Sequence, residues 1–122
     1  MRMWMVDVAT MCLKHLLGEH VETHMILGCL RNGSSLQGYY TKGLVELTSL
    51  VARHNQLAAE IEKRSYCHRS PLNLTWFPPV TLPAIGGIVD PVKSLAELHR
   101  RCVTCKSRYE VNLQPTESNL LE

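Results

Sequence analysis

Residues 67 to 89 carry Pro71, Pro78, Pro79 and Pro83 together with Gly86-Gly87, a density of breakers that no helix survives. Regular structure must therefore be built on either side of this stretch. The stretch itself reads as a long surface-wrapping segment anchored by Trp76 and Phe77. Upstream, Asp7 is a good N-cap, and helical spacing runs from Val8 to about Leu30 until Asn32-Gly33 stops it. Residues 33 to 43 (GSSLQGYYTKG) are glycine- and serine-rich and read as a loop. From Leu44, apolar residues return at Leu47, Leu50, Val51, Leu57, Ala58 and Ile61, giving a second amphipathic helix that ends near Arg64. Downstream, Asp90-Pro91 is a capping residue followed by proline at the first helical position, and a third helix runs from there to about Ser107.

The fold class that follows is all-α. It is a single compact domain of three main helices with a short extended N-terminus and a long proline-rich loop. At 122 residues the chain supports one domain, here residues 1 to 110 followed by a polar, fraying tail over 111 to 122. No apolar run approaches the roughly 18 residues of a membrane span. The start, MRMWMVDVATM, is interrupted by Asp7 and has no long apolar region of the kind that directs export. The expectation is an intracellular, cytoplasmic protein. In that setting an odd count of five cysteines, at 12, 29, 67, 102 and 105, means reduced thiols, with Cys12 and Cys29 as small core residues. Cys102-Val-Thr-Cys105 with Cys67-His68 has the makings of a zinc site. A lone CxxC without a clear second pair favours ordinary thiols, so no metal and no cofactor are expected.

The stretch HLLGEHVETHM (residues 15 to 25) puts three histidines and two glutamates into the first helix. At 100° per residue, His15, Glu19 and Glu22 share one narrow stripe, whereas His20 and His24 fall among the leucines of the other side. His20 and His24 have the i, i+4 spacing of a metal pair. Val21, however, stands where a zincin carries its glutamate, and no third ligand is evident. They are read as core histidines bonded to a carbonyl or carboxylate. The His15, Glu19, Glu22 stripe is either a solvated face or half of a functional site, since such groups need partners when buried.

The pattern His15-Leu16…Glu19…Glu22, set behind the start MRMW, resembles the pyrimidine-dimer DNA glycosylases of the phage endonuclease V type. RHNQLAAEIEKRSY (residues 53 to 66) is similar to that family's long helix ending in Lys-Arg-Gly-aromatic. The resemblance covers half to two-thirds of the chain. It implies a DNA repair glycosylase with abasic-site lyase activity, whose nucleophile is the α-amine of the first residue and whose acid–base partner is the following catalytic glutamate. Aligned without gaps, these fall on Met1 and Glu22. Arg2 is bulky and blocks removal of the initiator methionine, so Met1 is expected to stay. An α-amine has a pKa of about 7.7–8.0, so a useful fraction is neutral near pH 7 and able to attack an anomeric carbon. Glu22 would stabilise the developing positive charge and help remove the proton that leads to β-elimination.

Damaged double-stranded DNA is the implied partner of a monomeric enzyme. Arg2 and His15 match family residues that would contact phosphate or the flipped nucleotide, Glu19 matches the glutamate before the catalytic one, and His24, where the family has an arginine nearby, is also expected at DNA. Phosphate contacts are expected from Lys14, Arg53 and Arg64, and from the basic cluster of Arg100, Arg101, Lys106 and Arg108. Val21 stands where the phage enzyme has arginine, and the arginine that follows the catalytic glutamate there is missing, which leaves the preferred lesion open. Tyr39, Tyr40 and Tyr109 are placed to contact nucleic acid. One rival is a small non-catalytic DNA-binding protein built around structural zinc. A second is a helical interaction protein whose polar stripe is simply solvated.

Overall fold

The computed structural model describes residues 1–68, 70–73 and 87–113. Among these residues the chain is helical and has no strand. An extended N-terminal segment leads through a 3-10 turn (Val8–Thr10) into α1 (Leu13–Asn32), followed by the short α2 (Gln37–Thr41). A second 3-10 turn (Leu47–Ser49) opens α3 (Leu50–Lys63), and α4 (Pro91–Arg101) and α5 (Val103–Leu113) complete the described chain. Among the described residues there are thus five helices where three main ones were expected. Residues 69 and 74–86 of the breaker-rich stretch, Trp76 and Phe77 among them, and the tail beyond residue 113 lie outside the described residues.

The differences have local causes. Asp7 does cap, but what it caps is the 3-10 turn, its carboxylate accepting from Ala9 N–H at 3.0 Å. Met11 and Cys12 are then extended, which delays α1 to Leu13. Gly33 ends α1 as expected, in the left-handed region at φ 72°, while Ser34 N–H returns to Cys29 O at 2.9 Å. The loop expected over residues 33 to 43 contains one helical turn, closed by Thr41 Oγ1 donating to Gln37 O at 2.7 Å. Asp90 caps α4 as expected, accepting from Val92 N–H at 3.0 Å and Lys93 N–H at 3.3 Å. That helix stops at Cys102, whose backbone is extended, and α5 runs on to Leu113, past the expected start of the tail.

Two apolar cores form, and the N-terminal segment threads between them. Trp4 and Val6 join Leu16 of α1, Leu57 and Ile61 of α3, Leu98 of α4 and Cys105 of α5. Met3 turns the other way, to Ile26, Leu27, Leu36, Val45, Leu47 and Leu50. Alternating side chains of the extended segment allow this. Met3 N–H donates to Leu44 O at 2.7 Å, and Ser94 Oγ donates to Trp4 O, so the segment is fixed on both flanks. Gly87, at φ 88°, closes the second core from outside; a Cβ there would lie 2.2 Å from Val45 O and 2.5 Å from Tyr40 Cβ.

Helices α1 and α3 are joined by charge as well as by apolar contact. Arg53 Nε and Nη2 donate to the Glu19 carboxylate at 2.5 and 2.9 Å, and Nη1 donates to Val6 O at 2.7 Å. Both side chains are buried, which answers the demand that the Glu19 carboxylate find a partner.

Candidate active site

Because Met3 and Trp4 are pinned, Met1 and Arg2 are delivered to the face of α1 that carries the polar stripe. Met1, Arg2 and Trp4 there line a cavity of about 490 Å³ with His15, Gly18, Glu19 and Glu22 of α1. Lys14, Leu44 and Arg101 complete its rim. The volume is within the 300–1,000 Å³ typical of small-ligand sites, so a nucleotide-sized group fits. Arg2 stacks on Trp4, its guanidinium carbon 4.0 Å from the ring centroid, and Arg101 approaches the same ring at 5.9 Å.

Glu22 is half-buried in this cavity, which Arg2, Lys14 and Arg101 also line. Burial pushes its carboxyl above the ordinary carboxylate range. The positive charge of the Met1 amine is the largest opposing influence, followed by the backbone amide of Arg2, while Glu19 adds to the upward push. The amine thus acts on the Glu22 carboxyl across the cavity that both residues line. Burial first, and then the charge of Lys14, hold His15 below the usual imidazole range.

A family model described as pyrimidine dimer DNA glycosylase matches residues 1–74 of the 122. The chain belongs to the pyrimidine dimer DNA glycosylase family. No curated protein and no solved structure gives a significant match to it. The matched part holds the extended segment, α1, α2 and α3. Both carboxylates of the stripe line the cavity, and Glu19 is in addition locked to Arg53.

Several of the residues expected at DNA lie elsewhere. Arg53 is 3% exposed and its guanidinium is taken up by Glu19 and Val6 O, so it faces no phosphate. Arg64 turns inward to Glu60 and to the carbonyls of Val8 and Met11 at 2.8, 3.0 and 2.7 Å, tying the end of α3 to the turn before α1. Arg108 donates to Ala9 O at 2.9 Å from α5. Arg100 and Arg101 are exposed and share Glu97, which offsets part of their charge, and of the two only Arg101 lines the cavity. Lys14 and Lys106 are exposed, Lys14 on the cavity rim and Lys106 on α5. Tyr39 and Tyr40 pack against the second core, and Tyr109 pairs with His99 at 4.9 Å between ring centroids.

His24 lies with His20 on the other side of α1, in a seam of imidazoles. His20 Nε2 is 3.1 Å from His54 Nε2 and 2.9 Å from His68 Nε2, and Ser70 O accepts from both of those rings. The partners of His20 are thus other histidines, not the carbonyl or carboxylate expected, and the third and fourth rings that looked absent come from α3 and the segment after it. His24 Nε2 is buried with no hydrogen-bond partner among the described residues.

The cysteines also assemble differently. Cys67 is exposed and takes no part, and His68 belongs to the imidazole seam. Cys102 and Cys105 meet Cys12 and His15 instead. The signal was present in the sequence as C-x2-H at 12 to 15 facing C-x2-C at 102 to 105, but nothing local announces that these two pairs meet.

Proposed function

We propose that this protein is a DNA repair glycosylase with abasic-site lyase activity, acting through the Met1 amine and Glu22 on damaged double-stranded DNA as a monomer inside the cell. Membership of the pyrimidine dimer DNA glycosylase family supports the glycosylase part. The observation that carries the rest is that Met1 and Glu22 line one cavity, in which the positive charge of the Met1 amine acts on the Glu22 carboxyl.

In this reading the damaged nucleotide is turned out of the stack into the cavity. That extrusion costs a few kcal/mol, offset by backbone contacts. Arg2, Lys14 and Arg101 hold the flanking phosphates there, and Trp4 offers an aromatic wall. The neutral amine attacks the sugar C1′, the bond to the base breaks, and the base leaves with the bonding electrons. Loss of a proton and opening of the sugar ring convert the adduct to an imine. Glu22 then removes a proton from C2′, and the 3′ phosphate departs by β-elimination. The raised pKa of Glu22 suits a group that must hold and release protons during turnover. Pyrimidine dimers are the lesion this reading favours.

Borohydride trapping tests it. The protein incubated with abasic or ultraviolet-irradiated duplex should yield a covalent protein–DNA adduct, lost on acetylation of the amine and reduced in Glu22→Gln. Peptide mapping should place the adduct on Met1. Adduct formation that survives acetylation, or an adduct mapped to a lysine, would exclude the amine. No adduct and no strand cleavage on either substrate would exclude the lyase.

A further inference from the structure

We propose that Cys12, His15, Cys102 and Cys105 form a tetrahedral zinc site that staples the start of α1 to the junction of α4 and α5. The donor atoms of these four residues all lie within 4.8 Å of one another. A zinc ion bound at about 2.3 Å to sulfur and about 2.0 Å to nitrogen requires S···S separations of about 3.8 Å and S···N separations of about 3.5 Å. The Sγ atoms of Cys12 and Cys102 are 3.8 Å apart, and His15 Nδ1 stands 3.2 Å from Cys12 Sγ and 3.7 Å from Cys105 Sγ. Three of the six edges of that tetrahedron thus stand near the required lengths, and three sulfurs with one imidazole are the donor set of a closed structural zinc centre.

Cys12 N–H donates to Cys105 Sγ at 3.3 Å, and Cys105 N–H donates to Cys102 Sγ at 3.4 Å. Backbone amides aimed at sulfur are the outer-shell support that ligating cysteines need, whereas a neutral thiol is a poor acceptor. Cys102 also stands at the N-terminus of α5, where the helix dipole favours an anion. The break between α4 and α5 falls on Cys102 itself, with neither glycine nor proline to cause it, and it turns both cysteines of the CxxC toward Cys12. Cys12 and Cys105 are buried, while His15 and Cys102 are half-buried, which leaves the ion a way in.

Two of the ligands lie beyond the residues 1–74 that match the family, so the site joins the family's helical unit to the rest of the chain. It would also fix the ring of His15, and with it one wall of the cavity. A zinc-bound His15 Nδ1 carries no proton, so that atom would not contact DNA. None of this depends on the repair reading.

The test uses the whole protein, reduced and exchanged into cobalt(II). Occupancy should bring a thiolate-to-cobalt charge-transfer band and the intense visible bands of tetrahedral cobalt. Both should disappear in Cys102→Ser/Cys105→Ser and persist in Cys67→Ser and His54→Gln. His15→Asn should weaken cobalt binding by more than tenfold, about the smallest effect of losing even an outer-shell partner. Should the double variant not fold, the wild-type protein as purified is titrated with a mercurial reagent beside a zinc-sensing dye, and zinc should leave in step with thiol modification. The absence of a charge-transfer band in the reduced wild-type protein, its survival in the double variant, or zinc release uncoupled from thiol modification would each overturn the proposal.

Discussion

Replacing Arg53 with methionine separates two roles that this residue could have had. In a phosphate contact, the substitution would weaken DNA binding, lower its salt dependence and leave stability alone. The structure gives a different outcome. Arg53 makes two hydrogen bonds to Glu19 and one to Val6 O, and both charged side chains are buried. Arg53→Met leaves the Glu19 carboxylate buried without its counter-ion, a change that costs about 3–5 kcal/mol. Against the roughly 5–15 kcal/mol that holds a domain of this size together, that is a large fraction. At about 4 °C per kcal/mol it lowers Tm by roughly 12–20 °C. Urea unfolding followed by circular dichroism measures the free energy, and a thermal scan measures Tm. The pair Glu19→Met/Arg53→Leu should recover part of the loss, because two apolar side chains strand no charge. A stability change below about 1 kcal/mol, or a double variant no better than Arg53→Met, would refute the reasoning.

Acid should loosen the imidazole seam. Burial, and then the charges of His54, His24 and His68, lower the pKa of His20 to about 4 from an ordinary value of 6.5. The unfolded chain therefore binds the proton first, and stability falls as pH drops from about 6.5 toward 4, by about 2 kcal/mol allowing for partial solvent screening. His20→Asn should flatten that part of the pH–stability profile measured by urea titration. Glu22 carries the opposite sign. Its raised pKa means that ionisation above the ordinary range costs folding free energy, so Glu22→Gln should unfold at equal or higher urea concentration than wild type at pH 7 while losing trapping activity. Gly87→Ala combines a positive φ with a blocked Cβ position and should cost at least 2 kcal/mol, read from the shift in urea midpoint.

Local chemistry was the legible part of this sequence. Asn32-Gly33 and Asp90-Pro91 act through their own backbone geometry, so the end of α1 and the start of α4 could be placed before any tertiary contact was known. The His15, Glu19, Glu22 stripe was legible for the same reason, since helical spacing alone puts the three residues on one face. Arg53 was not. It sits on an amphipathic helix among polar neighbours, and only the packing of α3 on α1 shows that its charge points inward to Glu19. His54 and His68 join His20 by the same long-range placement. The division of the third helix at Cys102 was invisible because no residue there breaks a helix by its own nature. What distinguishes it is a meeting with Cys12, ninety residues earlier.

The threading of the N-terminal segment has a consequence for how the molecule is made. Met3 and Trp4 leave the ribosome before any of their neighbours, yet the groups that hold them, Leu44, Ser94, Leu98 and Cys105, are translated long afterwards. Such distant pairings slow folding relative to an ordinary helical bundle, because the connecting chain must be ordered before the contact is gained. A nascent chain halted before residue 94 would hold Met3 through Leu44 but lack the Ser94, Leu98 and Cys105 contacts that close over Trp4.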